Sequence, residues 1–421
     1  MAHVAERSAA GAGGGRSGLP LVYVRDDDYP WDIRVEKICA ALTAAGHDVH
    51  IAARNRARLA TRERLPEGTV HRMPPWRMLP SGIDATLGFP AFFNPRWAAH
   101  LWRVVRRTSA RAIIVRDLPL AITALFVARR ADIPVVLDMA ENYPAMTRDT
   151  WDAGRQGIAD VLIRNPRLVD AVERWTVPRM DAVLTVVEES AARVIALGAH
   201  DRHVHVVSNT PPCAHARVAH PKARGEGSDP LHVVYLGLLE IPRGVAELVD
   251  AVRLLRDRGI MVRATIIGDG RDAASFREHA AALRLGPGEV EFTGYVQRDD
   301  ALRLVAAADI GVVPHHATAL WNTTIPNKLF DYMAAGLPVI TSDAAPAARI
   351  VRAAGAGEVF ASRNAAALAS AIEALGDPGT RRRRGEAGQR AVLERHNWER
   401  DSEELLRAVD GAIARATKAV A

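Results

Sequence analysis

Short apolar runs alternate with longer stretches of helical spacing along almost the whole chain. LVYV at 21–24 predicts a first strand. IRVEKICAALTAAG follows, with Val35, Ile38, Cys39 and Leu42 on one helical face and Gly46 as its stop. Further strands are predicted at DVHIAA, AIIV (112–115), PVVLD (134–138), AVLTVV (182–187) and HVHVVS (203–208). Helical stretches lie between most of these. Such alternation predicts a parallel sheet covered by helices on both faces.

The pattern breaks at PPCAHARVAHPKARGEGSDP (211–230), which is rich in Pro, Gly and charge and has no period. A second alternating series then begins. Its strands are HVVYLG, VRATIIG, VEFTG, DIGVVP, LPVIT and GEVFA (357–361), with helices predicted from about 243, 272 and 299. The expected fold class is α/β, with two Rossmann-like domains facing each other across a cleft. The expected boundaries are a leader at 1–18, a first domain at 19–212, a linker at 213–229 and a second domain at 230–396. The tail from about 377 reads as helical to the end, with 397–421 expected to pack back on the first domain.

Composition narrows the picture. A chain of 421 residues exceeds one ordinary core, which agrees with two domains. A formal charge of +6 favours anionic small molecules or acidic lipid surfaces. The two cysteines, Cys39 and Cys213, support neither a disulfide framework nor a metal site, and a reducing cytoplasm is expected. The leader MAHVAERSAAGAGGGRSG lacks the apolar core of a signal peptide. No run approaches the ~18 apolar residues that span a bilayer. NPRWAAHLWRVVRR (94–107) is a basic amphipathic helix. It fits either peripheral contact with the inner face of a membrane or docking on its own sheet with arginines outward. The arginine run at 381–384 reads as a solvated face, and no nucleic-acid fold signature accompanies it.

The densest chemistry lies in TTIPNKLFDYMAAGLPVITSD (323–343). Pro326 suits a first helical position, Leu329, Phe330, Met333 and Ala334 form a buried stripe, and Gly336 is the stop. The helix would start at the carboxyl edge of a parallel sheet, where ligands bind. Its free amides, with Thr323 and Thr324 just outside, would cradle an anion. Lys328 would cost roughly 0.3–1 kcal/mol in an empty first turn, and a bound diphosphate would reverse that sign. The alternative is a lysine that snorkels to solvent. Asp331, three residues on, could accept from ribose hydroxyls or simply face water. Gly237, the pair Arg243-Gly244, and Gly268-Asp269-Gly270 form glycine corners after strands, and His315-His316 end DIGVVP at a cleft position. The latter are a donor contact or a satisfied structural pair. RDDDYPWD carries Asp26, Asp27, Asp28 and Asp32, and an acidic turn or acceptor-side loop is expected there rather than a metal site.

Gly237…Arg243-Gly244, GDG, VEFTGYV, AADIGVVP and IPNKLFDYMAAGLPVI resemble the nucleotide-sugar domain of GT-B glycosyltransferases, above all the large retaining family GT4. DIRVEKICAALTAAGHDVHIAA, RDLPLAITALFVARRADIPVVLDMAENYP and MDAVLTVVEESAARVIALGAHDRHVHVVSNTP extend the resemblance over roughly residues 20–400. It implies transfer of a sugar, with retention, from a nucleoside diphosphate sugar to an acceptor glycan, glycolipid or small natural product. It implies no metal and no resident cofactor. Donor-binding positions would be Gly237, Gly244, Gly268, His316, Thr323, Thr324, Ile325, Pro326, Asn327 and Asp331. Arg243, Lys328 and Glu141 would serve catalysis, and Asp32, Asp138 and Asn142 the acceptor side. Four departures stand out. Leu238 replaces a basic residue, Thr323 a glutamate that would contact the donor sugar, Ala140 a histidine, and Trp31-Asp32 a Gly-Gly loop. A sugar-nucleotide epimerase and a non-catalytic nucleotide-sugar binder are the competing classes. A dinucleotide-dependent dehydrogenase is disfavoured, because VRDDDYP stands where G-x-G-x-x-G would follow the first strand.

Overall fold

The computed structural model describes residues 18–30, 32–75, 92–152, 165–218 and 230–420. Residues 1–17 of the expected leader (1–18), Trp31 and most of the expected linker (219–229) lie outside the described residues.

The first sheet comprises β1 (Pro20–Asp28), β2 (Asp48–Arg54), β3 (Arg62–Leu65), β4 (Gly68–Arg72), β5 (Ala112–Arg116), β6 (Val135–Asp138), β7 (Ala182–Thr185) and β8 (Val204–Val206). Their order is β3-β4-β2-β1-β5-β6-β7-β8, parallel throughout except for the β3–β4 pair. Leu21, Val22, Tyr23 and Val24 are buried on both faces of the sheet. This explains why β1 reads as a continuous apolar run rather than an alternation.

The helix Pro95–Thr108 is started by Asn94, whose side chain accepts from the amides of Arg96 and Trp97. It buries Trp97, Leu101, Val104 and Val105 against the first sheet and turns Arg103, Arg106 and Arg107 to solvent. Of the two readings of this helix, docking on its own sheet is the one observed. Its apolar stripe is already covered.

The second sheet comprises β9 (Leu231–Leu236), β10 (Val262–Ile267), β11 (Val290–Gly294), β12 (Ile310–Val313), β13 (Val339–Ser342) and β14 (Gly357–Phe360). All neighbours are parallel, in the order β11-β10-β9-β12-β13-β14. The chain runs outward from β9 to β11 and then returns to β12 on the other side of β9. The switch point for ligand binding therefore lies at the carboxyl ends of β9 and β12.

One local reading needs correction. Cys213–Val218, expected to be linker, is helical, and Ala216 packs among Val234, Leu329 and Met333. The tail forms two helices. Pro378–Glu394 packs on the second half, and Asn397 breaks the run by bonding the carbonyls of Val392 and Leu393 (2.9 and 3.1 Å). The helix Trp398–Val420 then crosses back. Its Leu405, Ala408, Val409 and Ala412 share one core with Leu21, Ile51, Ile114 and Leu184 of the first sheet. Among the described residues no helix is long and apolar enough to cross a membrane.

Candidate functional site

Glycine geometry builds the corner at the end of β9. Gly237 and Gly268 have φ of 141° and 133°, and a Cβ on Gly268 would overlap the Gly237 carbonyl. A Cβ on Gly237 would lie 2.7 Å from the Lys328 amine. The bare backbone thus makes room for that side chain. A short turn, Ile241–Arg243, then ends on Gly244 (φ 70°), where a Cβ would strike the Pro314 carbonyl at the end of β12. This close approach sets Arg243 over the ring of Trp321, 5.3 Å from its centroid.

Lys328 does not snorkel. It is 6% exposed, and its Nζ sits 3.8 Å from the centroid of Tyr235 without a hydrogen-bond partner. Burial, reinforced by the Arg243 charge, holds the amine well below the ordinary lysine range, with Asp331 partly opposing. His315 is also buried. Its ring stands edge-on to Trp321 at 4.2 Å, and neither ring nitrogen has a partner. Burial and the Lys328 and Arg243 charges keep it neutral. His316 is instead anchored, 2.8 Å from Glu247 at the start of the helix Val245–Asp257. Of the two, His315 is the one free to meet a ligand.

The helix itself is shorter than expected. It runs Lys328–Ala334, and Pro326 lies in the turn before it. Its seven residues make the macrodipole small, so the side chains rather than the helix tip carry the positive bias. Asn327 is exposed and its side chain caps nothing, while Ile325 is buried in the core. Asp331 follows within the first turn. Burial raises it to about 6, against the pull of Arg298, Lys37 and Lys328.

The facing half contributes the loop after β6. Asp138 was expected on the acceptor side, but it is fully buried. Arg34 holds it at 2.6 and 2.9 Å and the Tyr23 hydroxyl donates to it at 2.6 Å, so it is an anchor of the loop and out of reach of an acceptor. Burial alone would raise its pKa, but Arg34 and Arg116 overcome this and hold it below the usual carboxylate range. Asp32 likewise serves as the cap of helix Ile33–Ala44 and pairs with Arg25, which leaves it little capacity for an acceptor. Asp27 and Asp28 pair with Arg56.

Asp117 was not singled out in the sequence. Its Oδ1 accepts from the amides of Ala140 and Glu141 (2.9 and 3.3 Å) and so shapes the loop that carries Glu141. The residue takes φ 56°, a conformation that Asp tolerates better than most side chains. The sequence signal was its position: Asp117 directly follows the buried strand β5 at its carboxyl edge. Glu141 is half-buried, and its pKa is raised by burial against the fields of Arg116, Arg243 and Arg34.

The two halves meet at this loop. Asn142 Nδ2 donates to Thr323 Oγ1 (2.9 Å), and Thr324 Oγ1 donates to the Ala140 carbonyl (3.3 Å). Arg349 ties the second half to Glu189 of the first at 2.7 Å. Lys37, from the first half, lies in the field of Asp331. The loop 140–142 and the segment 323–331 therefore bound one crevice between the domains. Among the described residues no group of three or more His, Cys, Asp or Glu side chains is disposed to hold a metal.

Comparison with known proteins agrees with this geometry. Residues 32–210 match the family model of the glycosyl transferase 4-like domain, and residues 230–377 match that of glycosyl transferases group 1. The chain is 25% identical over 395 residues to a glycogen synthase of Mycobacterium tuberculosis, covering 87% of each chain. Its fold is similar to that of sucrose-phosphate synthase from Thermosynechococcus elongatus, with a TM-score of 0.71 at 18% identity, covering 96% of this chain and 100% of that one. It is also similar to Anabaena HepE solved with UDP-glucose, with a TM-score of 0.65 at 14% identity over 93% and 99% of the two chains. The chain is an enzyme of the GT-B glycosyltransferases, of the GT4-like kind.

Proposed function

We propose that this glycosyltransferase moves a sugar from a nucleoside diphosphate sugar to an acceptor hydroxyl, with retention and without a metal or resident cofactor. One observation carries the reading. Two buried groups without partners, Lys328 Nζ and the His315 ring, stand beside Arg243 at the switch point of the second sheet. Unpaired buried donors are costly, and a diphosphate would satisfy them. The HepE complex with UDP-glucose supports a donor of this class.

In this scheme the leaving diphosphate is neutralised by Arg243 and Lys328, and the neutral His315 ring donates a hydrogen bond to it. The diphosphate helps to deprotonate the acceptor hydroxyl on the same face of the sugar. Asp331 receives the ribose. Glu141, held by Asp117, stands on the acceptor side with Asn142. Thr323 offers a hydroxyl where many relatives place a charge, and Asn142 already occupies it, so donor-sugar selection rests on shape and neutral hydrogen bonds. The acceptor is a growing polysaccharide, a glycolipid or a natural product. The two free cysteines support a reducing, cytoplasmic setting.

The test is incubation with UDP-, GDP- and dTDP-sugars, with and without candidate acceptors. Diphosphate release that requires an acceptor is expected. Conversion of the sugar without release would instead make the enzyme an epimerase.

A further inference from the structure

A second concave site lies in the first half, remote from the crevice. It is a cavity of about 420 Å³ at the β2–β4–β3 edge, under the last turns of helix Pro95–Thr108. Asp48, in its wall, opens β2, whereas Arg116 and Asp138 close β5 and β6 at the opposite end of the same parallel sheet.

The wall of this cavity is cationic. Arg62 reaches it from β3, and Arg103 and Arg107 reach it from the helix. None of the three has a carboxylate partner among the described residues, and Arg103 bonds only the Ala99 carbonyl of its own helix (3.1 Å). Arg103 and Arg107 stand four residues apart on one helix face, where like charges repel. Arg72, in contrast, is paired with Glu63 at 2.5 Å. Asp48 is the one carboxylate among the described residues of the lining, and His50 (3.1 Å) and Arg64 (3.7 Å) already hold it.

Three histidines complete the site. His71 Nε2 and His50 Nδ1 are 3.2 Å apart, and His100 Nε2 lies 3.1 Å from the His71 carbonyl. Burial, with His50, Arg62 and Arg107, lowers His71 to about 4. Burial and the neighbouring arginines likewise hold His100 at about 4, although its bond to His71 opposes this. Both rings are therefore neutral near pH 7, and the charge of the site comes from the arginines. A recess lined by one sign of charge concentrates the other, and arginine forks match phosphate oxygens.

We propose that this cavity binds a phosphoryl group, carried by a small molecule or by a lipid headgroup, independently of the donor site. The test reads the histidine ring resonances of the full-length protein during titration with inorganic phosphate at pH 7. The His71 and His100 signals should shift saturably, and the His71 pKa should rise by about one unit as the anion favours its charged form. Arg103→Gln with Arg107→Gln should abolish the response without lowering the melting temperature or changing glycosyl transfer. Arg62→Gln, on a separate element, should weaken it.

A parallel arm pellets the protein with phosphatidylglycerol–phosphatidylcholine vesicles. Pelleting that is lost in the Arg103/Arg107 variant, but kept when Arg129 and Arg130 are changed to Gln, assigns the phosphate to a lipid. A phosphate response with no such pelleting assigns it to a soluble ligand. Pelleting that falls equally in both charge-matched variants is non-specific and counts as no such pelleting. The proposal fails if neither probe responds, or if the phosphate shifts survive the double variant.

Discussion

Lys328 is a cation that the empty protein disfavours. Its amine is buried against Tyr235 with no acceptor in reach, a cost of about 1–3 kcal/mol for a polar group left unpaired. Lys328→Met keeps the stem and removes the amine. The melting temperature of the ligand-free protein should rise, and a fall would show that the amine stabilises the fold.

Asp117 makes a pH-dependent contribution. Burial raises it to about 7, against Arg116 and the two Ala140–Glu141 amides that favour its charged form. Its unfolded value is about 4. The stability it contributes is therefore present below pH ~4 and lost as pH rises through about 7, at most roughly 4 kcal/mol in all. Asp117→Asn retains an acceptor for both amides and cannot titrate. Between pH 4 and 7 its melting temperature should fall less steeply than that of the natural protein. Parallel profiles would remove Asp117 as the source.

At the scale of elements, the close approach of two loops fixes the site. Gly244 combines φ 70° with contact to the Pro314 carbonyl, so an alanine there is both strained and crowded. Gly244→Ala should cost at least about 1–2 kcal/mol of stability and displace Arg243 from Trp321. Chemical denaturation checks the first effect and nucleotide affinity the second. An unperturbed variant would mean that the turn relaxes freely. The central strands were legible because they are buried on both faces and read as unbroken apolar runs. β3 (RERL) and β4 (GTVHR) were not: β3 is an exposed edge strand of polar side chains, and β4, although buried between β3 and β2, carries Thr, His and Arg instead of an apolar run. The position of Lys328 in the site was legible from the strand–turn–helix pattern. Its lack of partners was not, because it depends on Tyr235 and Gly237, 93 and 91 residues away in sequence. Asp138 misled for the same reason. Its strand-end position resembles that of a ligand group, and only the fold reveals that Arg34, 104 residues earlier, consumes it.

The whole molecule is closed by its final helix. Trp398–Val420 leaves the second half and completes the core of the first. Full burial contributes about 1.5–3 kcal/mol for each aliphatic side chain such as Leu405 and Val409, so these two alone approach the marginal stability of a domain. A chain ending at residue 397 should therefore lose cooperative unfolding of its first half, as followed by hydrogen exchange. Retained protection in β1 and β5 would contradict this. The same crossing ties the two walls of the crevice to one scaffold and lets residues 140–142 meet residues 323–324 in register. The central claim is that this crevice holds a nucleoside diphosphate against Lys328. Calorimetric titration with UDP, GDP and dTDP, in two buffers of different ionisation enthalpy near pH 8, tests it most directly. At least one nucleotide should bind, and Lys328→Met should bind it about 1–3 kcal/mol more weakly and with less proton uptake, because a bound anion raises the lowered pKa of the Lys328 amine. Equal affinity and equal proton uptake in the two proteins, or no binding of any of the three, would contradict it.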